Sequence, residues 1–386
     1  MAQQRGYDAI VIGAGVFGAW TAYFLRKSGA SVLLLDAYGA ANARASSGGE
    51  SRIIRMGYGA DEVYTRWSTN ALPKWKELFA QAGRPELFQQ TGVLWIAHAG
   101  ERYAADTMAT FERVGVRFEK LASAQLRERY PQIYFEDDCW GVFEPDSGVL
   151  MARRAVQTVV EHTEGEGTRY RCEAVRQPEG NQQRLKEIIA ADGERFPAAN
   201  FVFACGAWLP KLFPDVLGSR IFPSRQEVFY FGVPPGDSLF SAPSMPTWLK
   251  LKDEFYGMPD IENRGLKIAH DRHGVAVDPD TQSRAPTVEA LTLAKEYVAR
   301  RFPALRDAPV VETRVCQYEN TSNGDFLIDR HPAIENVWMV GGGSGHGFKH
   351  GPSVGKYVAA RVLNGGAVEP RFSLATKQVV QKRAVF

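Results

Sequence analysis

The feature that most constrains the fold is a glycine-rich turn near the start of the chain. Residues 8–12 form an apolar run that predicts a buried parallel strand, and the sequence GAGVFG follows at residues 13–18. A helical stretch comes next, and a second apolar run at residues 31–35 ends on Asp36. This order of strand, glycine turn, helix, strand and acid is the fingerprint of a Rossmann-type unit that binds a dinucleotide.

Each fingerprint position has a physical reason. Gly13 permits the tight turn, Gly15 lets the backbone approach a pyrophosphate, and Gly18 allows the helix to pack closely. Asp36 can accept hydrogen bonds from the ribose hydroxyls of an adenosine. The alternative is a glycine turn without a ligand, and the complete spacing argues against it.

The fingerprint alone does not separate NAD from FAD, but its position and two later segments favour FAD. Residues 200–208 predict a strand that ends in a small-residue turn, and residues 337–347 predict a strand that runs into a glycine loop. Backbone N–H groups in such loops come close to a ligand. The alternative for the second segment, a flexible loop, is weakened because a strand before it and a helix after Gly351 would anchor both ends.

Length and composition limit the class of protein. A chain of 386 residues predicts two or three domains, or one large α/β unit with a cap. Its 23% charged residues and net charge of +2 are typical of a soluble globular protein without a surface for polyanions, so no nucleic-acid partner is expected. The first apolar stretch lacks the features of a secretory signal and is broken by glycines, so no membrane span is expected.

The four cysteines lie far apart and form no CxxC pair; they are Cys139, Cys172, Cys205 and Cys316. This spacing argues against a zinc site and against the disulfide framework of a small secreted domain. No metal is expected, and a cytoplasmic, reducing compartment fits best.

With these segments in view, the chain resembles the monomeric sarcosine oxidase family of the D-amino-acid oxidase superfamily, over nearly its whole length. The segments that carry the resemblance are 13–18, 49–59, 143–150, 256–259, 265–267, 315–318, 329–332 and 344–349. The resemblance implies an α/β fold in which a Rossmann-type FAD-binding domain joins a second, α+β substrate domain built on an antiparallel sheet. We expect residues 1–85, 148–217 and 321–386 in the FAD domain. The substrate domain is expected to take residues 86–147 and 218–320.

The resemblance also implies roles for four cationic side chains. Arg55 and Lys349 match the pair that grips the substrate carboxylate, a task suited to a guanidinium and a second cation. Lys267 matches the lysine that promotes reaction of reduced flavin with oxygen. Arg52 matches an arginine near the flavin ring. The alternatives are surface charges for the first pair and a solvated strand residue for Lys267. For Arg52 they are a structural salt bridge or a residue that tunes the flavin potential.

Cys316 matches the cysteine that carries FAD through an 8α-thioether bond in the family. A thiolate must form for that bond, and a cation such as Arg314 would favour it. The alternative is a buried cysteine that acts as a small hydrophobe. Tyr256 and Tyr318 match the family tyrosines that line the substrate pocket.

The FAD contacts implied by the resemblance come from several separate parts of the chain. They are Gly13, Gly15, Val16, Phe17, Gly18, Asp36, Ser47, Gly48, Arg52, Val175, Cys205, Gly206, Trp208, Cys316, Gly343, Gly345, His346, Gly347, Phe348 and Lys349.

The chain departs from the family pattern around the pocket. Where relatives carry a histidine four residues after the lysine, this chain has His270 followed by Asp271, so either residue is a candidate for the catalytic role. Ala60 replaces a glutamate, and Gly48 replaces a histidine. These changes keep the carboxylate clamp but argue against sarcosine itself as the substrate.

The resemblance implies an oxidase that uses FAD and molecular oxygen on a secondary or primary α-amino acid. It would transfer hydride from the substrate C–H to flavin N5 and give an imine and hydrogen peroxide. A monomer is expected. The alternatives are a dehydrogenase that passes electrons to a quinone or a carrier protein, an oxidase of a glycated or biosynthetic imino compound, and an NAD-binding regulator without chemistry.

Overall fold

A computed structural model describes residues 6–178, 183–272 and 274–381. The helices are α1 (Val16–Lys27), α2 (Glu62–Gln81), α3 (Arg102–Val114), α4 (Ser123–Arg129), α5 (Ala152–Gly165), α6 (Leu209–Leu212), α7 (Pro214–Leu217), α8 (Val288–Arg301) and α9 (Gly351–Asn364).

The strands are β1 (Tyr7–Ile12), β2 (Val32–Asp36), β3 (Arg52–Ile54), β4 (Phe88–Gln89), β5 (Val93–His98), β6 (Glu119–Leu121), β7 (Cys139–Glu144), β8 (Gly148–Leu150), β9 (Arg169–Cys172), β10 (Glu187–Ile189), β11 (Arg195–Phe203), β12 (Ile221–Phe231), β13 (Thr247–Lys250), β14 (Phe255–Met258), β15 (Leu266–His270), β16 (Val310–Thr321), β17 (Leu327–Arg330) and β18 (Val337–Gly341).

The first sheet is mainly parallel and is covered on both faces. Its order is β17-β18-β11-β1-β2-β9, and β10 pairs with β11; β17 and β10 are the antiparallel members. Because side chains alternate along a strand, Val11 packs into the cluster with α1, α5 and α9, whereas Ile10 and Ile12 pack into the cluster with α6 and α7. The predicted apolar, doubly buried first strand is therefore confirmed.

The glycine turn follows β1 directly. Gly13 has φ +102°, and a Cβ atom at this position would lie 2.4 Å from the carbonyl oxygen of Ala204. Only glycine fits a turn with this backbone conformation and this approach. α1 then begins at Val16 and presents its N-terminus to the carboxyl edge of the sheet.

The second sheet is mainly antiparallel. Its order is β16-β12-β15-β14-β13-β5-β7-β6, and β13–β5 is the parallel pair. One face packs against α8, with Phe229 and Ile268 in that cluster. The opposite face carries Val228 and Ala269, which line a cavity between this sheet and β3.

A short third sheet, β3-β8-β4, holds Arg52 at the start of β3. The α/β fold class with a second, antiparallel sheet is confirmed. The parallel sheet takes its strands from residues 7–36, 169–203 and 327–341, and the antiparallel sheet from 93–144 and 221–321. This distribution follows the predicted segments, although the domain boundaries themselves stay a prediction.

Candidate functional site

A cavity of about 390 Å³, the cofactor cavity, lies at the carboxyl ends of β1, β2, β11 and β18. Ligands of open α/β sheets bind at this edge. Sixteen of the predicted FAD contacts line it: Gly13, Gly15, Val16, Phe17, Asp36, Ser47, Arg52, Val175, Cys205, Gly206, Trp208, Cys316, Gly343, Gly345, Gly347 and Phe348.

Two polar side chains organise the nucleotide end of the cofactor cavity. Asp36 accepts hydrogen bonds from the backbone N–H groups of Ala14 (2.8 Å) and Tyr38 (2.9 Å), so it fixes the glycine turn while it faces the cavity. Burial raises the pKa of Asp36 above its ordinary value. Ser47 accepts a hydrogen bond of 3.1 Å from the Val16 N–H at the start of α1.

These residues fit a dinucleotide. A turn that only glycine can adopt lets the ligand approach the backbone, and the N-terminus of α1 supplies the positive end of a helix dipole for a pyrophosphate. The volume lies in the range of small-molecule pockets.

Four predicted FAD contacts do not line this cavity. Gly18 packs α1 against the turn, because a Cβ atom there would lie 1.8 Å from the Gly13 carbonyl oxygen. Gly48 uses its carbonyl oxygen to accept hydrogen bonds from two arginines of neighbouring elements. His346 and Lys349 line a second cavity instead.

That second, smaller cavity of about 70 Å³, the inner cavity, adjoins the first. The two cavities share Arg52, Cys316, Tyr318, Gly345 and Phe348. The other predicted site residues that line the inner cavity are Arg55, Tyr256, Asp271, His346 and Lys349.

The two predicted carboxylate-binding cations meet at Tyr58. The buried Arg55 guanidinium lies 4.4 Å from the centre of the Tyr58 ring and 4.7 Å from that of Trp95, and it donates to the Gly57 carbonyl oxygen. Lys349 Nζ donates to Tyr58 Oη at 2.8 Å. Burial and the charge of Arg55 lower the pKa of Lys349 well below its usual value, so a carboxylate that pairs with it would favour the charged ammonium.

Tyr58 itself belongs to a buried hydrogen-bond network that the sequence analysis did not predict. Its hydroxyl lies 2.7 Å from His350 Nε2 and 3.2 Å from His346 Nδ1. Burial raises the pKa of the phenol well above its usual value. The hydroxyl therefore stays neutral and positions Lys349.

Glu144 is a second residue that sequence reasoning left without a role. Its carboxylate is buried and accepts hydrogen bonds from the Met56 N–H (2.7 Å), the Gly57 N–H (3.1 Å) and Trp95 Nε1 (2.7 Å). It thereby holds the backbone that follows Arg55. The available signal was a charged residue at the end of the apolar strand β7.

Lys267 is buried beside the cavities without lining either of them. Its Nζ donates to the carbonyl oxygen of Ser51 at 2.9 Å and to the Ser51 hydroxyl at 3.2 Å. Burial and the nearby Arg52 charge lower its pKa well below the usual value. Because residues alternate along β15, Lys267 shares a face with Ala269, which does line the inner cavity.

Cys316 lies in the walls of both cavities, and the cation beside it differs from the expected one. Arg52 Nη2 donates to the Cys316 sulfur at 3.4 Å, whereas Arg314 donates to the Gly48 carbonyl oxygen at 2.9 Å. The cation that donates to the thiol is therefore Arg52, from a distant part of the chain whose strand packs near β16, and not the expected Arg314.

His270 and Asp271, the two candidates for the catalytic role, occupy different positions relative to the inner cavity. The His270 ring stacks on Phe255 at a centroid distance of 4.8 Å, on the face of β15 turned away from the cofactor and inner cavities. His270 as a catalytic candidate is therefore wrong in position. Asp271 lines the inner cavity and accepts a hydrogen bond of 2.9 Å from Tyr318 Oη.

Cys139 has more neighbours than its spacing in the sequence suggested. It lies with His98 and Asp138 in a cluster whose ligand-type atoms are all within 4.8 Å of one another. The thiol donates to Glu136, burial raises its pKa to about 11, and His98 pairs with Asp138 at 3.0 Å. Hydrogen bonds thus account for this cluster.

Among the described helices, none combines the length and the apolar character needed to cross a bilayer.

The fold and its two adjoining cavities define an oxidoreductase that binds FAD. The family model for FAD-dependent oxidoreductases matches residues 8–361. Monomeric sarcosine oxidase from Bacillus sp. (strain NS-129) is 30% identical over 93% of each chain. Peroxisomal sarcosine oxidase from Mus musculus is 32% identical over 92% of each chain. The fold of L-proline dehydrogenase from P. horikoshii superposes with a TM-score of 0.83 at 19% identity, covering 96% of this chain and 98% of that one.

The chain belongs to the sarcosine oxidase family within the FAD-dependent oxidoreductases. The prediction of FAD rather than NAD is confirmed, which removes the NAD-binding regulator as an alternative.

Proposed function

We propose that this CH–NH oxidoreductase is an oxidase of a secondary or primary α-amino acid, and that it releases an imine and hydrogen peroxide. The observation that carries the proposal is the pair of buried cations, Arg55 and Lys349, in a small cavity that adjoins the cofactor cavity. Relatives named for sarcosine and for N-methyl-L-tryptophan support an amino acid as the substrate.

Bound FAD supplies the acceptor for the two electrons and the hydrogen that leave the substrate C–H bond. The protein binds and orients the substrate. Arg55 and Lys349 hold the carboxylate away from water, where a charged hydrogen bond is strong. Tyr256 and Tyr318 line the inner cavity around the rest of the molecule.

Lys267 is proposed to assist the reaction with oxygen. Its buried amine lies beside Arg52, and together the two side chains favour negative charge that develops nearby. Burial and the Arg52 charge lower the pKa of Lys267. A negative charge that develops nearby would attract its ammonium form and thereby stabilise it.

A substrate panel tests the oxidase assignment. N-methyl, cyclic and D-amino acids, each paired with its decarboxylated amine, are assayed for anaerobic flavin reduction and for peroxide. Only the carboxylate-bearing compounds should react. Arg55→Ala should lower kcat/KM by the factor that corresponds to a loss of about 2 to 4 kcal/mol of binding free energy. The exposed Arg113→Ala serves as the matched control. Equal reaction of the amines would contradict the clamp, and flavin reduction followed by dye turnover without peroxide would identify a dehydrogenase.

We also propose that Cys316 attaches the flavin covalently. The thiol lies in the walls of both cavities, and the Arg52 guanidinium donates to its sulfur at 3.4 Å. Acid-precipitated protein should remain yellow, and Cys316→Ser should release the colour to the supernatant. Cys172→Ser, at an exposed position, should keep it in the precipitate. A white precipitate from the unaltered protein would refute the bond while the FAD site survives.

A monomeric, cytoplasmic enzyme without a nucleic-acid partner completes the proposal. Similar proteins include a bacterial enzyme described as monomeric and mammalian enzymes described as peroxisomal. Gel filtration at micromolar concentration and cell fractionation measure the two properties directly.

A further inference from the structure

A third cavity of about 650 Å³, the outer cavity, continues from the inner one. The two share Leu249, Tyr256 and Asp271. The inner cavity, at about 70 Å³, could hold only a few water molecules. A space of this size suits the carboxylate and amine end of an amino acid. Anything beyond that end must extend past Tyr256 and Asp271 into the larger space.

The charge at the junction is opposite to the charge of the clamp. Asp271 lies in the walls of both cavities, and its Oδ1 accepts a hydrogen bond from Tyr318. Its negative charge is close enough to Lys349 to raise the pKa of that amine, although burial and Arg55 lower it overall. The path from the clamp to the junction therefore runs from positive to negative.

The lining of the outer cavity adds to this negative character. Lys250 is fully buried there and pairs with Glu136 at 2.7 Å and Asp253 at 3.5 Å. The equally buried Arg301 pairs with the same two carboxylates, so two cations and two acids balance within the wall. Glu101 and Glu254 contribute further carboxylates.

The other charged residues of the lining do not offset the carboxylates of Glu101, Glu254 and Asp271. His98 pairs with Asp138 at 3.0 Å, and Lys252 is the remaining lysine of the lining. A cation that enters this space meets more acid than base.

We infer that the outer cavity is a subsite for the distal part of the substrate, and that this part carries an ammonium or guanidinium group that pairs with Asp271. The substrate class is an α-amino acid with a basic side chain or a basic N-substituent. The inference rests on the proposed function for the position of the carboxylate. Complementary charges at the two ends would fix both the register and the orientation of such a molecule.

Binding of unreactive ligands tests the inference without any turnover. The flavoprotein is titrated calorimetrically with straight-chain carboxylates of three to six carbons and with their ω-amino counterparts. The five- and six-carbon amino compounds should bind at least about tenfold more tightly than the plain carboxylates, the gain expected for one desolvated charge pair. Asp271→Asn should bring the ratio of the amino and plain carboxylate affinities to about one, whatever it does to the plain carboxylates themselves, because asparagine carries no charge but still offers Tyr318 an acceptor. Asp137→Asn, at an exposed carboxylate paired with Arg127, is the matched control and should keep the gain.

The outcomes separate the two proposals. If the plain carboxylates fail to bind, the clamp and hence the proposed function are wrong. If they bind but the amino group gives no gain, or if Asp271→Asn leaves the gain intact, the clamp stands and the distal subsite is refuted. A gain greatest for the three-carbon compound, whose amine lies only one carbon farther from the carboxylate than an α-amine, would place Asp271 beside the reacting amine, which also overturns the distal assignment.

Discussion

Glu319 is a carboxyl group buried in the wall of the cofactor cavity, beside the glycine loop that follows β18. Hydrogen bonds from the Gly342 and Gly343 N–H groups favour its charged form, but burial outweighs them and raises the pKa from the ordinary 4.5 to about 7. The folded protein thus holds a proton that the unfolded chain releases. We expect Glu319→Gln, which keeps an acceptor oxygen and removes the charge, to stabilise the protein at neutral and higher pH.

The magnitude follows from proton linkage. Each pH unit of displacement corresponds to roughly 1.4 kcal/mol, so a pKa raised from 4.5 to about 7 costs about 3 kcal/mol once the group is ionised in both states. Below pH 4.5 the group is protonated in both states and costs nothing. Between 4.5 and 7 the native state binds more protons than the unfolded state, so the free energy of unfolding falls as the pH rises. Above 7 the penalty is constant.

Urea unfolding of flavin-free protein from riboflavin-limited expression, followed by circular dichroism from pH 4.5 to 8.5, measures this difference. The free energies of unfolding of the unaltered protein and of Glu319→Gln should converge near pH 4.5. They should diverge to about 3 kcal/mol above pH 7, with the variant more stable. Glu128→Gln, at an exposed position, should show no such divergence. A difference independent of pH, or a variant less stable at pH 8, would refute the reasoning.

Three further substitutions test the site. Lys267→Met should slow reoxidation by oxygen about a hundredfold in stopped-flow measurements but affect anaerobic reduction by substrate far less, and equal effects would count against the oxygen role. Glu144→Gln should lower the free energy of unfolding by about 1 to 3 kcal/mol and raise KM, because buried N–H groups around the loop after Arg55 lose an acceptor; an unchanged KM would show that Glu144 does not position the clamp. Gly13→Ala should yield protein without flavin, since the added methyl group meets a carbonyl oxygen at 2.4 Å, and a normal flavin absorbance ratio would contradict the proposed cradle.

The sequence predicted the parts of the fold that local pattern determines. The first buried strand, the glycine turn, the helix that follows it and the second strand ending on Asp36 are all present as predicted. Each depends on spacing within a short segment, where strand and helix periodicities and the special backbone of glycine are readable. The resemblance singled out Arg55 and Lys349 because they lie within recognisable motifs, and both line the inner cavity.

The remaining features depend on contacts between distant segments. Whether Arg52 or Arg314 serves Cys316 is decided by the packing of β3 near β16, which no local spacing reveals. The choice between His270 and Asp271 depends on the residue at which β15 ends. Because successive side chains point to opposite faces, an uncertainty of one residue exchanges the cavity side for the far side.

Glu144 and Glu319 show why buried acids escaped prediction and what their presence implies. Glu144 ends β7 and Glu319 lies near the end of the mixed polar strand β16, and a pattern that assigns charge to the surface treats both as exposed. Sites that break the local rule are expected where function constrains the chain. Glu144 accepts hydrogen bonds from four donors and holds the loop after Arg55, whereas Glu319 is expected to lower stability above pH 7. If Glu319→Gln gains the expected stability, stability cannot be the reason that an acid occupies this wall. The reason must then lie in the ligand that the cavity receives, and the flavin affinity of the same variant measures it.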